Sequence, residues 1–194
     1  MYKVFVNDKP LFLTNEIVKE TDFNLFLLES IDIEQLIIKL YNNKVQKAYL
    51  YYPDEKEIMT KLKQKIPVCK AGGGLVYNQK NEVLFIFRNG KWDLPKGGAE
   101  KGEEIELTAM REVTEETGVN KLIIGEKLQK TYHIFKRNGV YKLKITHWFK
   151  MTTNFKGTPI GQIDEGIEKV AWLNPQQIQE ALKNSYENIK LLFE

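Results

Sequence analysis

The sequence predicts an α/β fold for residues 66–194, preceded by a small α+β domain in residues 1–65. Three observations carry that prediction. Apolar runs of strand length alternate with stretches of helical period, a glycine-rich loop feeds an amphipathic helix, and Pro67 separates two differently patterned parts. The 194 residues, 42% of them hydrophobic, suffice for a buried core.

Tyr2–Asn7 and Leu11–Thr14 read as short strands around a turn at Asp8-Lys9-Pro10. Ile33, Leu36, Ile37, Leu40 and Tyr41 recur at helical spacing within Ile31–Tyr41, and Asn42-Asn43 stops that helix. Ala48–Tyr52 reads as a strand, and Asp54 as the cap of a helix reaching Lys65. The first domain is thus a β-β-α-β-α unit. Beyond Pro67 come Gly72-Gly73-Gly74, an apolar strand at Val83–Arg88 and a glycine-containing loop from Asn89 to Glu103. Thr131–Lys136 and Val140–Met151 flank Asn138-Gly139, a pair suited to the left-handed conformations of a tight hairpin. Lys169–Leu173 is the last strand; Asn174-Pro175 supplies a cap and a first-turn proline for a C-terminal helix broken near Ser185.

Charge excludes little. The 29 basic and 26 acidic residues leave +3, far from the dense basic stripe of a dedicated nucleic-acid binder, so nucleic acid is not an expected partner. Cys69 is the only cysteine, which forbids an internal disulfide and suits a reducing compartment. No apolar run approaches the roughly 20 residues that span a bilayer, and no secretion signal opens the chain, so a soluble, cytoplasmic protein without a membrane partner is expected.

Residues Glu104–Thr117 form the most informative stretch. At 100° per residue, Ile105, Ala109, Met110 and Val113 share one side, suited to packing on a sheet. Glu112, Glu115 and Glu116 fall on a neighbouring arc about 100° wide, close to the negative end of the helix dipole, where Gly118 suits a left-handed cap. Like charges at these spacings cost a few tenths of a kcal/mol per pair, so local stability does not select them. A divalent cation reverses the sign of the effect, and oxygen donors with no nearby histidine or cysteine favour Mg²⁺ over Zn²⁺.

Gly97, Glu103, Arg111, Glu112, Val113, Glu115, Glu116, Gly118 and Val119 fit G-x5-E-x7-R-E-U-x-E-E-x-G-U, with U aliphatic. This resembles the motif of the Nudix hydrolase family at every fixed position. The resemblance extends from near Ile66 to the end and leaves the first 65 residues outside it. It implies an α/β/α sandwich on a mixed sheet. It also implies Mg²⁺ or Mn²⁺ held by Glu112, Glu115, Glu116 and the Gly97 carbonyl, with Arg111 and Glu103 steadying the carboxylates. The implied chemistry is attack of water on a phosphorus of a nucleoside diphosphate linked to another group. The general base varies within the family; Glu165 resembles a late-loop acid that serves some members and is preferred to Glu168 and Asp164 of the same stretch, and Glu112 is the alternative.

Arg88 and Lys96 are candidates for phosphate, as are Lys136, Arg137 and Lys142, although each alone reads more readily as a surface cation. Trp92 and Tyr132 are candidates for stacking on a base, with core packing the competing role. The approach KWDLPKGG resembles the W-x-x-P-K-G of diadenosine polyphosphate hydrolases, diphosphoinositol polyphosphate phosphohydrolases and mRNA decapping enzymes, and Lys96 tilts the substrate toward longer phosphate chains. Ile134 stands where ADP-ribose pyrophosphatases carry a proline, and Phe135 where dinucleoside polyphosphate hydrolases carry a tyrosine. The expected function is Mg²⁺-dependent hydrolysis of a (di)nucleoside polyphosphate. ADP-ribose, diphosphoinositol or capped RNA are alternative substrates, and a non-catalytic nucleotide sensor or scaffold is the alternative role. The first domain is a candidate homodimer interface, lid or partner-binding module.

Overall fold

Asn7 and Asp8 both take left-handed backbone, with φ of 47° and 62°, and close the tight turn between β1 (Tyr2–Val6) and β2 (Lys9–Thr14). The turn lies earlier than the expected Asp8-Lys9-Pro10. Asn and Asp tolerate positive φ, which frees Lys9 and Pro10 to pair in the strand with Val6 and Phe5. This computed structural model describes residues 1–17 and 24–194.

Two units divide the chain: Met1–Cys69 with Tyr132–Ile145, and Lys70–Thr131 with Thr146–Glu194. In the first unit, β3 (Leu25–Leu27) runs parallel to β4 (Ala48–Tyr51). Three residues are too few to carry a periodic signal, and this strand was not expected from the sequence. Helix α1 (Ile33–Tyr41) is capped by Asp32, which accepts from the Gln35 amide at 3.1 Å; α2 (Glu55–Lys65) is capped by Asp54, which accepts from Lys56 at 2.8 Å. The hairpin of β10 (Thr131–Arg137) and β11 (Val140–Thr153) turns on Asn138 and Gly139, at φ of 51° and 79°.

The arm Tyr132–Ile145 of this hairpin belongs to the first unit, whereas the sequence division at residue 66 assigned it to the second. The reason is strand pairing: Val4, Phe5 and Val6 lie in parallel register with Tyr132, His133 and Ile134. The strand order here is β11-β10-β1-β2-β4-β3. Val4, Leu11, Leu13, Leu50, Ile134 and Leu143 point to one face, where they are buried with Leu36, Ile37 and Leu40 of α1 and Ile58 and Leu62 of α2.

In the second unit the order is β12 (Ile167–Leu173), β6 (Val83–Arg88), β5 (Val68–Tyr77) and the remainder of β11. Three short strands flank it: β7 (Lys91–Asp93) on β6, β8 (Lys96–Gly98) on β5, and β9 (Leu122–Lys127) on β11. Alternation divides this sheet between two cores. Leu75, Val83 and Phe85 meet Trp148 and residues of α4 (Pro175–Lys183) and α5 (Glu187–Lys190). Val76 and Leu84 meet Ala109 and Val113 of α3 (Ile105–Thr117), with Phe149 and Met151. This α/β/α layering is the expected fold class. Asn174 and Gln177 complete a reciprocal capping box on α4, and Ser185 interrupts the C-terminal helix by donating to the Ala181 carbonyl at 2.9 Å. Among the described residues no helix is long and apolar enough to cross a membrane.

The glycine run lies inside β5, where it lets α3 approach the sheet at backbone distance. A Cβ on Gly72 would stand 2.6 Å from the Ala109 nitrogen and 2.9 Å from the Ile105 carbonyl oxygen. Neither a central strand nor the middle of a helix can retreat cheaply. Gly72→Ala is therefore expected to cost about 1–3 kcal/mol in chemical denaturation. Gly98→Ala, where a Cβ meets nothing within 4 Å, is expected to be close to neutral; equal losses at both positions would refute the close-approach explanation.

Candidate active site

Helix α3 ends at Gly118, whose left-handed backbone (φ 70°) returns its amide to the Thr114 carbonyl at 2.8 Å. The amides of Ile160 and Gln162 then cap the carbonyls of Thr117 and Glu116, at 2.9 and 3.2 Å. This ties the loop carrying the short 3-10 turn Ile163–Glu165 to the acidic end of the helix.

Arg111 lies nearly two turns before that end and organises the carboxylates. Its Nε and Nη2 donate to Glu103 Oε1 and Oε2 at 2.8 and 2.9 Å, a bidentate fork. Nη1 reaches Glu112 Oε1 at 2.8 Å and Glu115 Oε2 at 2.9 Å, and Nη2 also donates to the Gly98 carbonyl at 3.0 Å. Glu103 accepts further bonds from the Thr108 hydroxyl and the Glu100 amide. The Arg111 bonds and these others hold its pKa down to about 2.

Glu116 is in a different environment, with only 2% of its surface exposed. Oε2 accepts from the Lys96 amide at 2.9 Å, and Arg88 Nη1 lies 3.4 Å from Oε1. Burial pushes its pKa up to about 7; Lys96 and Arg88 pull against that shift, and Asp93 adds to it. Glu112 is also raised, first by burial, with Arg111 opposing and the charges of Glu115 and Glu165 reinforcing. Glu165 thus stands close enough to Glu112 to act on it.

Glu112 Oε2 is pressed so closely against Gly97 that a Cβ there would lie 1.9 Å from it, so a side chain at position 97 would displace the Glu112 carboxylate. Among the described residues no three acidic, histidine or cysteine side chains are gathered as a metal-holding cluster. Arg111 instead bridges the gap between Glu103, Glu112 and Glu115. The donor set nevertheless suits a hard divalent cation. Glu112 Oε2 and Glu115 Oε1 make no hydrogen bond among the described residues, and they share a helix edge with the desolvated Glu116.

The remaining candidates separate. Arg88 and Lys96 are at this cluster, but the Lys96 ammonium is bonded to Asp93 at 2.5 Å, so its backbone, more than its charge, serves Glu116. Asp93 is itself 4% exposed and accepts from the Leu94 amide. It was not singled out from the sequence, where its only signal is its place three residues before Lys96. Trp92 alternates to the opposite side of β7. There it packs edge-on to Phe85 and Phe87 at 6.3 and 5.2 Å, under the Lys169 ammonium, and lines a cleft of about 430 Å³ beside α4. Tyr132 lies in the first unit, edge-on to Tyr2 at 5.7 Å against that unit's core.

The chain is 34% identical over 99 residues to the putative mutator protein MutT4 of Mycobacterium tuberculosis, covering 50% of this chain and 39% of that protein. It is 30% identical over 104 residues to the RNA pyrophosphohydrolase of a Wolbachia species from Drosophila simulans, covering 48% and 63%. The chain thus spans less than two thirds of the length of either relative. Among solved structures, the MutT protein of Methanosarcina mazei matches in fold with a TM-score of 0.50 at 23% identity, over 66% of this chain and 89% of that one. The family model for the NUDIX domain matches residues 70–193, a span that holds the whole carboxylate-bearing unit except its final residue, and on that match the chain belongs to the Nudix family.

Proposed function

We propose that the second unit is a Mg²⁺- or Mn²⁺-dependent pyrophosphohydrolase that cleaves a phosphoric anhydride in a nucleoside diphosphate linked to another moiety. The observation that carries this reading is the desolvated Glu116 beside Glu112 and Glu115, an arrangement costly to the fold unless a cation is bound. Glu112, Glu115, Glu116 and the Gly97 carbonyl would hold the ion. Bound there, a divalent cation neutralises phosphate charge and acidifies a water. Arg111, anchored by Glu103, keeps Glu112 and Glu115 aligned and never needs to touch substrate. Arg88 binds phosphate oxygens through the guanidinium donors that Glu116 does not take. Glu112, with its raised pKa, takes the proton of the attacking water, and Glu165 sharpens that role by repulsion.

A (di)nucleoside polyphosphate is the proposed substrate, supported by the resemblance of Trp92-x-x-Pro95-Lys96-Gly97 to enzymes of long phosphate chains. The 5′-phosphates of RNA are the second reading, supported by the likeness to RNA pyrophosphohydrolases. Mass-spectrometric detection of products from a panel of dinucleoside polyphosphates, ADP-ribose, capped and triphosphorylated RNA, diphosphoinositols and nucleoside triphosphates separates these readings. Hydrolysis that persists undiminished in chelator would remove the metal-dependent mechanism.

Stability provides a second test. A carboxylate whose folded pKa of about 7 exceeds its unfolded value near 4.5 binds more protons when folded, so its contribution is full at low pH and is lost as pH rises through 7. The shift corresponds to about 3 kcal/mol. Metal-free Glu116→Gln is therefore expected to melt higher than the unmodified protein at pH 8, with the difference shrinking as pH falls and vanishing below 4.5, and to lose at least about 10²-fold in turnover. Mg²⁺ at a hundred times its dissociation constant stabilises the unmodified protein by about 2.7 kcal/mol. Glu115→Ala with Glu116→Ala is expected to abolish that gain.

The proton acceptor is tested by Glu165→Gln. With Glu112 as base, the variant keeps activity within about tenfold, and the acidic limb of its pH–rate profile moves to lower pH as the Glu165 charge is removed. A loss of about 10²-fold or more would make Glu165 the base instead.

A further inference from the structure

The sheet of the first unit has a second face. The alternation that points Val4, Leu11, Leu50 and Ile134 at α1 and α2 sends Phe12, Tyr49, His133 and Phe135 to the opposite side. Among the described residues, both helices of the unit are spent on the first side. Phe12 and Tyr49 are partners in register, with rings stacked at 5.0 Å and 22°. His133 and Phe135 lie nearly parallel, 6.2 Å apart at 17°. All four are half-buried.

Cations alternate with these rings. Lys142 and Lys144 point the same way from β11, between the core residues Tyr141, Leu143 and Ile145, and the Lys144 ammonium stands 4.7 Å over the Phe135 ring. Lys3 is opposite Phe12 in register. The arm Tyr132–Ile145 contains Lys136, Arg137, Lys142 and Lys144 and no acidic residue, so this one segment carries more positive charge than the +3 of the whole chain. Residues 1–69 are neutral, with ten basic and ten acidic side chains.

We propose that this face binds a single-stranded oligonucleotide, with bases on the rings and phosphates on the lysines. A strand of nucleic acid alternates flat π-faces with anions, which is the complement of a sheet that alternates aromatic rings with ammonium groups. An acidic peptide would use the cations and leave the rings unmatched. A second copy of this chain would bring like charge against like charge. The proposal stands apart from the hydrolytic function, because binding is read without turnover.

Fluorescence anisotropy of a labelled single strand of about 12 nucleotides tests it, with RNA, DNA and the corresponding duplex as separate arms and salt varied in each. Single strands are expected to bind more tightly than duplex, and salt is expected to weaken them. Phe12→Ala and Phe135→Ala each weaken binding about tenfold, and Lys142→Glu with Lys144→Glu lowers the salt slope by about 0.7 for each phosphate no longer neutralised. The lysine substitutions lie at partly exposed positions, so they keep the test valid if a ring variant misfolds. Absence of binding at low salt, equal binding by all variants, or equal affinity for duplex overturns the proposal. So does sedimentation showing that the face pairs two copies of the chain which the lysine variants separate.

Discussion

A carboxylate taken almost wholly out of water, Glu116, sets the terms for what surrounds it. Its two oxygens receive one backbone amide, from Lys96, and one long contact from Arg88. That is too little to restore its ordinary acidity, so the proton stays on to a pH near 7. Asp93 worsens the imbalance by drawing the Lys96 ammonium to itself. The site is thus deficient in positive charge, even though cations stand within bonding distance of its acids.

Arg111 explains why the deficiency does not disperse the acidic helix end. Its fork on Glu103 leaves Nη1 to be shared by Glu112 and Glu115, which satisfies one oxygen of each and no more. Glu103 and Glu112 diverge: the Arg111 fork holds one acid far below the usual carboxylate range, while burial raises the other against the pull of Arg111. Separation of this kind between neighbouring carboxylates lets one serve as a fixed anion and the other hold and release a proton more readily.

Elements with local chemistry were legible in the sequence. The caps Asp54 and Asn174, the Asn138-Gly139 turn and the acidic edge of α3 each announce themselves within a few residues. What escaped depends on neighbours distant in sequence. Gly72-Gly73-Gly74 stands out in the sequence only as a glycine run with no element assigned, yet it forms the middle of β5, because only a strand without side chains fits beneath α3. The hairpin arm Tyr132–Ile145 follows Val4–Val6, more than a hundred residues away, and carries Tyr132 with it into another core. Trp92 and Asp93 are adjacent in sequence but face opposite sides of a strand, so KWDLPKGG, read as one functional string, supplies two different environments.

The glycine strand and the buried acid are one device. Side chains at positions 72 and 74 would hold α3 off the sheet, since a Cβ at either meets the helix at 2.6 to 2.7 Å, by its backbone at Ala109 or its side chain at Val113. A helix held farther out would carry Glu112 and Glu116 toward solvent, where a carboxylate is stable as an anion and has little need of a cation. Gly97 extends the same logic to β8, where the absence of a Cβ admits the Glu112 carboxylate against the backbone. Stability is therefore given up at two levels, in flexible glycines within a sheet and in charge within a core, and both concessions bring the same carboxylates to one edge of the unit.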